Sequence, residues 1–287
     1  MTTTHPPIVA GVDGSASGQQ AVLWGAREAA RRKAPLRLVH ATVAIGGHSP
    51  VALQRSMYDA LAGEGRESLR QATESARDLA PGVDVSTDLR TGSPAQVLVA
   101  ESQAARLVVL GSRGLGGFTG MLVGSVAVAL AAHGHCPVLV VRGEHTTETG
   151  GRPVVVGIDG SPASEAAIGF AFDQASWLGV LLVALHTWSD TIPASTVPEA
   201  VAEEEQRVLA ERLAGWQKKY PEVSVQRVFT PGRPAHSLLV QTREAQLVVV
   251  GARGRGGVKG MMLGSTSQAL LHHSSCPVAV VRPESRY

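Results

Sequence analysis

The chain repeats itself once, and this duplication constrains its fold more than any other feature. Residues 9–15 read VAGVDGS and residues 155–161 read VVGIDGS. Residues 107–142 and 247–282 agree at about 21 of 36 positions, far above chance for unrelated segments. The first pair is offset by 146 residues and the second by 140. His40 and His186 keep the first offset, and Pro94 and Pro234 keep the second. The later copy therefore lacks six residues between its second strand and its third helix. A period of about 145 residues is domain-sized and too long for a solenoid. The polar stretch GEHTTETGGR, residues 143–152, reads as a connector. The expected division is a first domain at 1–143, a linker at 144–152 and a second domain at 153–287.

Within each copy, apolar runs alternate with helical patterns. Strands are expected at Ile8–Val12, Leu36–Ala44, Val83–Leu89, Leu107–Leu110 and Pro137–Val141. The last two are short, continuous and rich in Val, as in strands buried on both faces of a parallel sheet. Ile168, Ala171, Phe172 and Ala175 fall on one helical face, and Val22, Gly25, Ala26 and Ala29 repeat the stripe with smaller residues. Segments 50–80 and 199–219 read as amphipathic helices with solvated outer faces. The alternation predicts an α/β fold, with a doubly wound, five-stranded parallel sheet flanked by helices in each half.

Composition narrows the function. There are 26 Lys and Arg against 24 Asp and Glu, a net charge of +2, and aromatics make up only 4%. This balance argues against nucleic-acid binding, whether by a basic surface or by base stacking. No apolar run reaches the roughly 18–20 residues of a membrane span. The polar start, Met1 to Pro7, does not read as a secretory signal, so a cytoplasmic location is expected. Cys136 and Cys276 occupy matching positions and are expected to be buried, reduced thiols.

In an open parallel sheet, ligands bind beyond the carboxyl ends of strands where strand order reverses. Two loops leave such ends in each copy. One is Gly11-Val12-Asp13-Gly14-Ser15, repeated as Gly157-Ile158-Asp159-Gly160-Ser161. The other starts Gly111-Ser112-Arg113-Gly114-Leu115-Gly116-Gly117 and reaches Gly124-Ser125. Its repeat starts Gly251-Ala252-Arg253-Gly254-Arg255-Gly256-Gly257 and reaches Gly264-Ser265. Both follow Gly, two residues, Gly, nine residues, Gly-Ser. Glycines let backbone approach a ligand, and a helix starting near Ser125 or Ser265 offers N–H groups and a positive dipole end. Together they suit a polyphosphate. Each serine is a candidate helix cap, phosphate contact or both. Asp13 and Asp159 are candidate caps and ligand contacts alike. Arg113 and Arg253 either neutralise phosphate or point into solvent. There is no Gly-Lys-Ser/Thr, no Gly-x-Gly-x-x-Gly after the first strand and no Gly-x-Ser-x-Gly, which removes the usual NTPase, dinucleotide and hydrolase-elbow readings.

The glycine spacing and the aspartate after strand one resemble the universal stress protein family, once per half and over almost the whole chain. The layout is similar to tandem-domain actinobacterial members. The resemblance implies two Rossmann-like domains of the HUP type and ATP as ligand at one site per domain; Mg2+ is a candidate companion ion. It assigns Asp13 and Asp159, beside Gly11 and Gly157, to the nucleoside. Gly111, Gly114, Gly124 and Ser125, and Gly251, Gly254, Gly264 and Ser265, go to ribose and phosphates. Ser112, Arg113, Leu115, Gly116, Gly117 and Val126 complete the first set, and Ala252, Arg253, Arg255, Gly256, Gly257, Thr266 and Ser267 the second. The implied role is a nucleotide-dependent stress regulator; a slow ATPase and a ligand-free protein scaffold are the alternatives. The resemblance also implies that the uncharged last strands pair the halves into a pseudo-dimer, and a homodimer of such units is expected.

Some suggestive residues carry no site in this reading. His133, His135 and Cys136 lose their spacing in the second copy, so a helix end with histidine at its negative pole is the better account. His40 and His186 end strand two as core histidines or as the border of an adenine pocket. Trp188 reads as packing, and Glu203–Glu205 as helix surface.

Overall fold

A computed structural model describes residues 5–42, 55–114, 123–142, 151–187, 199–230, 232–255 and 262–283, with backbone alone at 55–58 and 199–202. The chain divides into two compact units between Arg142 and Gly143. In the first, strands β1 (Ile8–Gly11), β2 (Leu36–Thr42), β3 (Val85–Thr91), β4 (Leu107–Gly111) and β5 (Val138–Val141) alternate with helices α1 (Ala16–Arg32), α2 (Arg55–Leu79), α3 (Pro94–Glu101) and α4 (Ser125–His133). In the second, strands are β6 (Val154–Ile158), β7 (Leu182–Thr187), β8 (Val225–Thr230), β9 (Leu247–Gly251) and β10 (Val278–Val281). Its helices are α5 (Pro162–Leu178), α6 (Glu199–Lys219), α7 (Pro234–Gln241) and α8 (Ser265–His273).

Strand order is β3-β2-β1-β4-β5 in the first unit and β8-β7-β6-β9-β10 in the second. The four pairings within each unit are parallel. Ile8 sits between Leu36 and Leu107, and its repeat Val154 sits between Leu182 and Leu247. Order reverses between β1 and β4, and again between β6 and β9, so the two loops singled out in each copy leave neighbouring strand ends. Strands β1, β3, β4 and β5 run one or two residues away from the expected bounds, and α2 is described from Arg55. Val43, Ala44, residues 143–150 and Trp188 lie outside the described residues.

The helical stripes face the sheet as their spacing requires. Ile168, Ala171, Phe172 and Ala175 are fully buried, as are Val22, Ala26 and Ala29. At Gly25 a Cβ would lie 3.2 Å from Leu36 Cδ1, so α1 lies close against β2. Ala72 and Ala76 of α2 are also buried, and α1 packs on α2. The second unit fills the equivalent space with aromatics: Phe172 stacks on Trp216 of α6 and on Tyr220 just beyond its end, at centroid distances of 6.3 and 5.9 Å. No helix among the described residues is long and apolar enough to cross a membrane.

Both cysteines are free and buried. Burial pushes the Cys136 thiol up to about 12, which removes the reactive thiolate at neutral pH. Iodoacetamide at pH 8 is therefore expected to leave Cys136 and Cys276 unmodified in the native protein. Both should alkylate in denaturant, and mass spectrometry of the intact chain reads the difference.

Candidate functional site

Each switch point is assembled from a strand end, the start of the next helix and the mouth of a glycine loop. In the first unit, the Ser15 Oγ accepts from Gly18 N at 3.0 Å and caps α1. Asp13 Oδ1 accepts from Ser15 N at 3.0 Å and from Ser15 Oγ at 2.6 Å. The second unit repeats this: Ser161 caps α5 by accepting from Ser164 N at 3.2 Å, and Asp159 Oδ1 accepts from Ser161 N at 2.9 Å. The caps are thus the serines, two residues after the aspartates. The sequence Asp-Gly-Ser before an apolar helical stripe is the signal that marks them. The turn also needs its middle residue to be glycine, since φ is +82° at Gly14 and +74° at Gly160.

The two loops meet, although about 96 residues separate them in sequence. Arg113 N donates to Ser17 Oγ at 3.2 Å, and Ser15 Oγ lies 3.4 Å from the Arg113 carbonyl. In the second unit, Ser161 Oγ donates to the Arg253 carbonyl at 3.2 Å, and Arg255 N donates to Asp159 Oδ2 at 3.0 Å. Each aspartate carboxylate faces the second loop glycine. A Cβ at Gly114 would lie 2.7 Å from Asp13 Oδ2, and one at Gly254 would lie 2.4 Å from Asp159 Oδ2.

The glycine loops are closed at their base. Gly124 N donates to the Ser112 carbonyl at 2.7 Å, and Gly264 N to the Ala252 carbonyl at 2.8 Å. Helices α4 and α8 begin there, with Gly124 and Gly264 at the N-cap and Ser125 and Ser265 as first helical residues. This corrects the capping role offered for the two serines. A residue with helical backbone is already inside the first turn, so its hydroxyl stands exposed at the positive end of the helix. Val126 and Thr266 follow, half-buried.

Other expected site residues have structural work. The first loop glycine allows close packing: a Cβ at Gly111 would lie 2.5 Å from the Ser17 carbonyl carbon, and one at Gly251 2.8 Å from the Ala163 carbonyl carbon. Gly11 leaves room for the Leu110 and Leu98 side chains, and Gly157 for those of Leu238 and Val250. Ser112 and Ala252 are buried, and each donates its N–H to the last residue of the neighbouring strand, Val141 or Val281. Ser267 is buried too, and its hydroxyl donates to the Gly251 carbonyl at 2.7 Å. Arg113 and Arg253 are exposed, and Arg253 Nε donates to the Met262 carbonyl at 3.3 Å. Leu115, Gly116, Gly117, Gly256 and Gly257 lie outside the described residues.

The strand-two histidines differ between units. His186 is buried, with Nδ1 at 2.7 Å from the Ile158 carbonyl, its ring stacked on Phe229 and Nε2 at 3.3 Å from Glu205. Glu205 is therefore drawn inward, while Glu203 and Glu204 are surface as expected. In register with Glu205 stands Gly65, where a Cβ would lie 3.0 Å from His40 Nε2. The buried His40 Nδ1 finds no hydrogen-bond partner among the described residues. His133 sits in the last turn of α4.

Such a site offers backbone donors, a helix N-terminus, a carboxylate and arginines. It belongs to an α/β protein of the doubly wound class with one loop-built site per unit. The chain belongs to the universal stress protein family, whose defining pattern matches residues 5–142 and 151–282. A universal stress protein of Mycolicibacterium smegmatis is 41% identical over 291 residues, covering 99% of each chain. Universal stress protein Rv2005c of Mycobacterium tuberculosis is 42% identical over 286 residues, covering 96% of each. The crystal structure of a universal stress protein from Archaeoglobus fulgidus shares the fold at 19% identity, with a TM-score of 0.75 over 97% of this chain and 98% of that one.

Proposed function

We propose that each unit binds one ATP and that the protein acts as a nucleotide-dependent regulator in stress or growth arrest, not as an enzyme. One observation carries the reading: in both units a carboxylate after the first strand faces the second glycine of a loop that runs to a helix N-terminus. That arrangement matches the two ends of a nucleoside polyphosphate. Asp13 or Asp159 has an oxygen directed at the glycine loop and suits ribose or base hydroxyl and amine donors. The first-turn N–H groups of α4 or α8, with the Ser125 or Ser265 hydroxyl, suit phosphate oxygens. A companion Mg2+ would be held chiefly by the phosphates, with few protein ligands, as is usual for that ion. Regulation requires that nucleotide favour one of two states of the protein or of its partner surface.

The test is direct. Protein purified without added nucleotide is denatured, and the released small molecules are separated by chromatography. Nucleotide-free protein is then titrated calorimetrically with ATP. Adenine nucleotide in the released fraction, or two equivalents of ATP bound on titration, is the expected result. Absence of both would overturn the reading and favour a ligand-free scaffold.

A further inference from the structure

The two sites differ in charge, and the difference lies on one side of the second. In the second unit a Cβ built on Gly160 would lie 2.2 Å from Arg255 Nη2 and 2.9 Å from Arg212 Nη2. The two guanidinium nitrogens are therefore within about 5.1 Å of each other, above the β6–α5 turn. They arrive from separate elements, Arg212 from α6 and Arg255 from the glycine loop. Arg212 Nη1 is paired with Glu165 in the first turn of α5, which aims the other nitrogen toward Gly160. Among the described residues, no carboxylate forms an ion pair with the Arg255 guanidinium; its backbone N–H is what meets Asp159.

Two like charges held this close repel each other unless an anion lies between them. The carboxylates facing them are Glu165, already committed to Arg212, and Asp159, whose oxygens accept from Ser161 N and Arg255 N. Guanidinium forks match phosphate oxygens bidentately, and the N-terminal pole of α5 adds a further positive end. The first unit does not carry this arginine pair. Its sequence carries Leu115 in register with Arg255, Ala72 in register with Arg212 and Gln19 in register with Glu165. Ala72 is buried.

We infer that Arg212 and Arg255 form a polyphosphate clamp over the Gly160 turn, so that the second site selects ligands with a di- or triphosphate chain while the first does not. The identity of the ligand as a nucleotide rests on the function proposed above; the clamp itself rests on the arginines. Selectivity then comes from charge count along the phosphate chain, and the two halves respond to different phosphorylation states of one nucleoside.

The full-length protein is titrated with inorganic tripolyphosphate, ATP and AMP, alongside the Arg212→Ala/Arg255→Leu variant, which installs the first unit's residues. Wild type is expected to bind one tripolyphosphate per chain, and the variant to bind it at least about tenfold more weakly. The stronger of two ATP sites should weaken similarly, while AMP affinity stays within about twofold. An Arg212→Lys/Arg255→Lys variant, keeping charge without the forks, should fall between the two. Thermal melting checks that the substitutions leave the fold intact. Tripolyphosphate that fails to bind wild type, or binds the variant equally well, overturns the clamp. If ATP still binds at two equal sites in that case, the nucleotide reading stands alone. If tripolyphosphate behaves as expected while ATP and AMP do not bind, the clamp stands and the nucleotide reading falls.

Discussion

Gly111→Ala is expected to destabilise the first unit by about 3 kcal/mol, the upper end for overpacking a well-filled site. The added methyl would lie 2.2 Å from Ser17 Oγ, 2.5 Å from the Ser17 carbonyl carbon and 2.7 Å from its oxygen. A hydroxyl can rotate away, but a backbone carbonyl in the first turn of α1 cannot move without dragging the helix off β4. Gly251→Ala meets Ala163 at 2.8 Å and should cost less, about 1–2 kcal/mol. Gly124→Ala meets nothing nearer than the Ser112 carbonyl oxygen at 3.7 Å, at an ordinary φ of −75°, and should cost least, about 0.5–1 kcal/mol from the poorer N-cap. Urea denaturation of the three variants gives the ranking. A Gly111→Ala protein as stable as wild type would show that the approach of α1 to β4 is looser than the structure has it. The comparison also separates roles inside one motif: the first glycine serves packing, whatever the later ones do for a ligand.

This division of labour marks what the sequence could and could not show. The fold was legible because its signals are local and occur twice. The stripe Ile168, Ala171, Phe172 and Ala175 is a property of one helix, and the Val-rich runs at 107–110 and 247–250 are properties of single strands. Their repetition at a fixed offset removes accident. The loops were legible for the same reason. What each loop residue touches was not, because those contacts cross the fold. Gly111 is defined by Ser17 and Gly114 by Asp13, residues on the other side of the switch point. Ser267 carries the same kind of hydroxyl as Ser265 but spends it on the Gly251 carbonyl, a choice made by which side of α8 faces the sheet. Arg212 was invisible as a site residue, since nothing in a charged helical segment says which arginine turns inward. Glu205 escaped for the same reason: of three consecutive glutamates, helix phase brings that one beside His186.

Gly114→Glu and Gly254→Glu are expected to abolish nucleotide binding one site at a time while the fold survives. Both glycines are exposed, and the near neighbour of a Cβ at either is a carboxylate oxygen at the end of a side chain and not backbone. The stability cost is accordingly small at Gly114. It is somewhat larger at Gly254, where the added Cβ would lie 2.4 Å from Asp159 Oδ2, against 2.7 Å from Asp13 Oδ2 at Gly114. The cost to a bound polyphosphate is of another order. A glutamate at this position adds a second negative charge beside Asp13 or Asp159, at the mouth through which the phosphates reach the helix N-terminus. One such charge about 4 Å from a phosphate costs about 4 kcal/mol near a protein surface, more than the roughly 2.7 kcal/mol of a hundredfold loss. Calorimetric stoichiometry should therefore fall from two to one in each single variant and to zero in the double variant, with thermal melting close to wild type for Gly114→Glu. The steric and electrostatic effects share a direction, so the neutral Gly114→Gln, with nearly the same volume, apportions them: if charge dominates, it recovers most of the binding. Two equivalents of ATP bound by the folded double variant would place the ligand elsewhere and leave the facing carboxylate and glycine as a packing arrangement alone.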